Sequence, residues 1–166
     1  MKQNSKDKLI LVVLIFLVSL PLMPLLIQEI VQPPLRGFGI EVKITALLHK
    51  THTAILEYFE KNGKYPPAEN WQDLLLPYFD NEKDVFTLPS KSRTKNTIAL
   101  NPNAKPDSPK DVVLLFESTG GWNAHGQAES LAPTSNGKPG CFVVFNDGQI
   151  KFIKPEQTKD LNWGIN

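Results

Sequence analysis

Ser118, His125 and Asp147 are the nearest this 166-residue chain comes to a nucleophile, a base and an orienting acid. Such a set would hydrolyse an ester or amide: the imidazole takes the hydroxyl proton, the carboxylate fixes the imidazole, and backbone amides hold the oxyanion. That chemistry needs the serine on a strained, glycine-flanked turn, whereas Ser118 follows Glu117 at the end of an apolar run. No catalytic residue is therefore expected. His49 and His52 stand three apart and could share a metal ion. No glutamate-histidine signature accompanies them, so ordinary surface or core-edge histidines are expected. Asp107, Asp111, Glu117, Asn123 and Asp147 offer the oxygen ligands that calcium requires, but their spacing follows no ordered ligand loop. Calcium is the metal this set would suit best; neither it nor any cofactor is expected as a resident group.

Trp71, Trp122 and Trp163 could form a surface for a partner or a glycan. Trp71 is expected in the core and Trp163 against the sheet, with Trp122 on a mobile loop set by Gly120, Gly121 and Gly126. Cys141 is the lone cysteine, which excludes an internal disulfide and a cysteine-clustered zinc site and leaves a small apolar residue in a buried strand. Eighteen basic and seventeen acidic side chains give a net charge of +1. No field capable of gathering a phosphate backbone follows, and nucleic acid is not an expected partner.

The elements that position these residues begin with LILVVLIFLVSLPLMPLLI at Leu9 to Ile27, nineteen residues without a charge. That length crosses the hydrocarbon core as a helix, the one open-chain form that pairs every backbone amide in lipid. Lys2, Lys6 and Lys8 precede it, which predicts a cytoplasmic segment 1–8, an anchor 9–27 and a domain outside the inner membrane. No Ala-x-Ala site follows, favouring an uncleaved anchor over a signal peptide. QPPLRGFG within 28–39 predicts a linker or hinge, and residues 40–166 a single domain.

In that domain Ile44, Leu47, Leu48, Thr51, Ile55, Tyr58 and Phe59 recur at helical spacing, and Asn62 and Gly63 predict the stop. A short helix is expected in ENWQDLLLPYF, with Asn70 as its cap and Pro77 limiting its length. TIAL at Thr97 to Leu100 predicts a short strand. VVLLF at Val112 to Phe116 predicts a central one, and CFVVF at Cys141 to Phe145 the first arm of a hairpin. A two-residue Asp147-Gly148 turn would pair Phe145 with Ile150 and Val143 with Phe152, on a sheet covered by a helix from one side. The class read from these patterns is α+β, an amphipathic helix on a small antiparallel sheet.

This order of elements, with NGKYP ending the helix, the tract WQDLLLPYFDNEKDVFTLPS, the stretch VVLLFES followed by GGW, and FNDGQIKFI at the end, resembles the bacterial type II secretion pseudopilins and their prepilin-like relatives. The resemblance implies a pilin-like fold and a structural or interaction protein of the cell envelope, working by self-assembly or protein contact and not by catalysis. Leu88 stands where those relatives often place cysteine, and Gly137 where many carry histidine. The prepilin cleavage signature is absent, and RGFGIEVK at Arg36 to Lys43 resembles it only superficially because the apolar run precedes it. The alternative is an anchored extracytoplasmic binding domain that is not assembled into a pseudopilus.

Overall fold

The computed structural model describes the backbone of residues 23–91 and 95–164, with side chains from residue 39 onward. Most of the expected anchor 9–27, and all of segment 1–8, lie outside the described residues. No helix among those residues is long and apolar enough to cross a membrane. Contacts divide the chain into Met1–Gly39 and Ile40–Asn166, and the second unit holds the features described below.

The first element among the described residues, α1, is the helix Met23–Asn62. Helical backbone thus runs through residues 28–39, where a linker was expected. Pro33 and Pro34 lie within this span, each removing one amide donor from the helix. The end falls where the sequence places it: Gly63 takes φ +69° and its amide reaches the Phe59 carbonyl at 2.7 Å. Within Ile40–Asn166 the inward face of α1 is Ile44, Leu48, Thr51, His52, Ala54 and Ile55, all buried. Thr51 is tolerated there because its hydroxyl donates to the Leu47 carbonyl at 2.8 Å.

After α1 comes the short helix α2, Trp71–Leu75, followed by 3-10 turns at Leu76–Phe79 and Lys83–Phe86. Asn70 makes no side-chain cap bond, against expectation. The free Gln72 amide at the start of α2 is taken by Asn123 Oδ1 at 2.8 Å, from a loop fifty-one residues on.

Strands β1 (Thr97–Leu100), β2 (Val113–Ser118), β5 (Cys141–Phe145) and β6 (Ile150–Ile153) form one antiparallel sheet in the order β1-β2-β5-β6. β3 (Thr134–Ser135) and β4 (Lys138–Pro139) make a small separate hairpin. The α+β class is observed, a helix and a small antiparallel sheet. The sheet is buried on both sides, not one. Leu114, Leu115, Val144 and Ile98 join the α1 side, whereas Val113, Phe116, Cys141, Val143 and Ile153 face a second cluster closed by Ala132, Leu131, Leu161 and Trp163.

The register of the β5–β6 hairpin also differs from expectation by one residue. Val144 pairs with Ile150 and Phe142 with Phe152. The Gly148 amide reaches the Phe145 carbonyl at 2.8 Å, and the Phe145 amide reaches the Gln149 carbonyl at 2.9 Å. Gly148 alone in this turn has positive φ, +84°, so the loop is the three-residue kind, a turn closed by a left-handed glycine. Asn146 is held inside it from elsewhere: its Oδ1 accepts the Tyr65 hydroxyl at 3.0 Å, and its Nδ2 donates to the Ser108 carbonyl at 2.9 Å.

Candidate interaction surface

A helix packed by one face presents the other to solvent, and on α1 that face is Val42, Ala46, His49, Thr53 and Leu56, all exposed. Their spacing alternates four and three, the pattern of a helix-pairing seam. Val42 and Leu56 keep 48% and 37% of their surface in solvent, and among the described residues the only other large apolar side chain so exposed is Trp122, at 41%. Lys43, Lys50 and Glu57 flank the line at one side, seven residues apart. The Lys50 ammonium folds back over the Phe79 ring, 5.1 Å from its centre, and leaves the seam clear.

The hydrolytic candidates are not brought together. Ser118 ends β2 buried, its Oγ accepting the Gly120 amide at 3.0 Å. Asp147 lies in the β5–β6 turn, which follows Phe145, and Phe145 pairs with Val113 at the other end of β2. Five residue steps of strand separate Val113 from Ser118, about 17 Å. His125 pairs beside Leu100 on the outer edge of β1, exposed, with Nδ1 2.9 Å from the Asn123 carbonyl. No oxyanion site lies between three groups so dispersed.

Metal candidates are likewise scattered. Among the described residues no group of three or more His, Cys, Asp or Glu could hold an ion. His49 is exposed, whereas His52, one turn on, is buried against Gly148. Burial lowers the His52 pKa, opposed by its hydrogen bond to the Asn146 backbone, and Nε2 has no hydrogen-bond partner among the described residues. Of the calcium candidates, Asp107 and Asp111 are exposed, with Asp111 Oδ2 accepting Asn162 Nδ2 at 3.1 Å. Asp147 Oδ1 accepts the Gln149 amide at 2.9 Å, as a turn residue does.

Asn123 belongs to a different arrangement, one that sequence reasoning missed. Its amide donates to Gln72 Oε1 at 2.6 Å, and its Nδ2 to Asp73 Oδ2 at 2.6 Å. The other oxygen of Asp73 accepts Trp122 Nε1 at 2.9 Å. These two donors, Asn123 first, hold the Asp73 carboxyl below its ordinary range. The loop around Trp122, expected to be mobile, is thereby bracketed onto α2. Trp122 stands edge-on to Phe86 at 5.7 Å, Phe86 edge-on to Trp71 at 5.3 Å, and the Lys83 ammonium lies 5.1 Å from the Trp122 ring. Trp71 is fully buried, its Nε1 donating to the Ala124 carbonyl at 2.9 Å; Trp163 is buried edge-on to Phe116.

Glu117 is wholly buried. Oε1 accepts the Ser135 hydroxyl at 2.9 Å and Oε2 the Phe142 amide at 2.8 Å, with a further hydrogen bond from the Asn96 side chain. Burial outweighs these three donors and raises its pKa to about 7. Cys141 is buried beside it, and burial, with the Glu117 charge adding to it, pushes the thiol up to about 12. Leu88 is buried as plain core, and Gly137 turns the β3–β4 hairpin at φ +80°.

A groove of about 670 Å³ lies between α1 and the segment that follows α2, lined by Lys43, Ala46, Leu47, Asp84, Leu88, Pro89 and Lys95 among others. The chain matches no known family model, no curated protein and no solved structure.

Proposed function

We propose that this chain is a membrane-anchored, pseudopilin-like structural or interaction protein of the bacterial cell envelope, linked to type II secretion and acting by contact through the outward face of α1. Residues 9–27 serve as its inner-membrane span, and the unit Ile40–Asn166 lies on the extracytoplasmic side. The observation that carries this reading is the uncharged seam of Val42, Ala46, His49, Thr53 and Leu56 on a helix whose opposite face is fully used. A solvated helix face is ordinarily charged, and an apolar line at 4-3 spacing is what a second helix packs on. Catalysis has no part in the reading, which the dispersal of Ser118, His125 and Asp147 supports.

A second reading, an anchored extracytoplasmic binding domain not assembled into a pseudopilus, is favoured by the missing prepilin cleavage signature. Membrane fractionation with intact-mass measurement tests what both share. The expected result is a full-length chain with Met1 retained that resists alkaline extraction and yields only to detergent. A species beginning beyond Ile27, or full-length protein in the aqueous fraction, would contradict the anchor. Crosslinking along the seam then separates the two readings.

A further inference from the structure

The groove beside α1 adjoins the seam, sharing Ala46 with it, but Val42, His49, Thr53 and Leu56 do not line it. Its apolar lining is Ala46, Leu47 and Pro89, with the otherwise buried Leu88 touching it, and Lys43 and Lys95 are among its other lining residues. Neither pairs with a carboxylate among the described residues, where the only ion pair joins Lys138 to Glu41. Nor, among the described residues, does either lie over an aromatic ring, as Lys50, Lys61, Lys83 and Lys151 do. An ammonium is a compact point charge on a flexible stem, so two of them can close on an anion without demanding one fixed geometry. Asp84 lines the same groove, so a second negative group on a ligand placed beside that carboxylate would be repelled.

We propose that this groove binds a small organic monoanion with a flat apolar body, its carboxylate held by Lys43 and Lys95 and its apolar part lying on Ala46, Leu47 and Pro89. A volume of about 670 Å³ is ample for a fused two-ring acid, within the range of small-molecule pockets. The apolar lining supplies area to remove from water, and the two charge-assisted contacts select the acid over its neutral analogue.

The test uses the full chain in nanodiscs of a zwitterionic lipid, with empty nanodiscs subtracted, and 2-naphthoate as the probe. Saturable binding below about 1 mM is expected, weakening roughly tenfold in K43E/K95E and as salt rises. The milder K43Q/K95Q should weaken it in the same sense, and amide shifts on titration should fall at Leu47 and Leu88. The reversal K64E/K105E, which alters residues elsewhere on the surface, should leave binding unchanged. The neutral 2-naphthylmethanol and the dianionic naphthalene-2,6-dicarboxylate should each bind roughly tenfold more weakly than the monoanion. Absence of saturable binding, equal binding of the neutral alcohol, or binding unaffected by both Lys43/Lys95 variants would overturn the proposal. The seam is read separately, by self-crosslinking at Val42, His49 and Leu56, none of which lines the groove.

Discussion

Glu117 and Phe142 are joined in an unusual way for neighbours on paired strands: the Phe142 amide donates at 2.8 Å to the side-chain Oε2 of Glu117, not to its carbonyl. The Glu117 carbonyl is already taken, at 2.8 Å, by the Ala132 amide. The carboxylate therefore finishes the sheet where β5 leaves β2, and through Ser135 it also holds the β3–β4 hairpin.

That position makes stability depend on pH in a stated direction. The Glu117 pKa rises from 4.5 to about 7 on folding, so the folded state favours the proton. The resulting stabilisation is fully present below pH 4.5 and is lost as pH rises through about 7. Its size is on the order of 3 kcal/mol. E117Q keeps the volume and removes the charge. Denaturant unfolding of the two proteins should show E117Q gaining on the wild type across this window and holding that gain above it. A constant difference from pH 4.5 to 8 would mean that Glu117 does not titrate there.

Gly148 is required twice over. Its φ is +84°, and a Cβ built on it would come within 2.9 Å of His52 Cε1. G148A should destabilise the protein by roughly 2–4 kcal/mol, combining backbone strain with overpacking. In an H52A background the penalty should shrink without vanishing, since only the overpacking is relieved. A full penalty in both backgrounds would remove His52 from the account. His52 adds a pH effect of its own: its pKa is depressed by burial, so its contribution is present above its ordinary value of 6.5 and is lost as pH falls below that.

Asp73 should govern the order of the Trp122 loop. D73A removes the acceptor of both Trp122 Nε1 and Asn123 Nδ2. Faster amide exchange across residues 121–125 and a red-shifted tryptophan emission are expected, with the strands of the main sheet unaffected. Unchanged exchange in that loop would show that Gln72 and the aromatic contacts suffice.

Much of the fold is legible in the sequence because its cause is local. The inward face of α1 follows from Ile44, Leu48 and Ile55 at helical spacing, and TIAL and CFVVF fall on observed strands. What escaped depends on distant partners. Asp-Gly alone predicts a two-residue turn, but Tyr65 and Ser108 hold Asn146 in the loop and shift the register by one. The Trp122 loop reads as free because its anchors, Gln72 and Asp73, lie some fifty residues away in the chain. The β3–β4 hairpin had a readable signal in Asn136-Gly137, both at positive φ, but its two-residue arms are too short for any alternation to show. Glu117 was visible only as one acid among several. Its burial is decided by residues 96, 135 and 142, each supplying a donor.

The α1 seam can be probed directly with cysteines placed at Val42, His49 and Leu56, and at Lys105 as a control, in the full chain expressed in intact cells. Cys141 does not interfere, being buried with its thiol pushed up to about 12. Oxidation should give disulfide-linked pairs of this chain from V42C, H49C and L56C and none from K105C. The absence of self-linked species along α1, or equal linkage from K105C, would contradict assembly through this face.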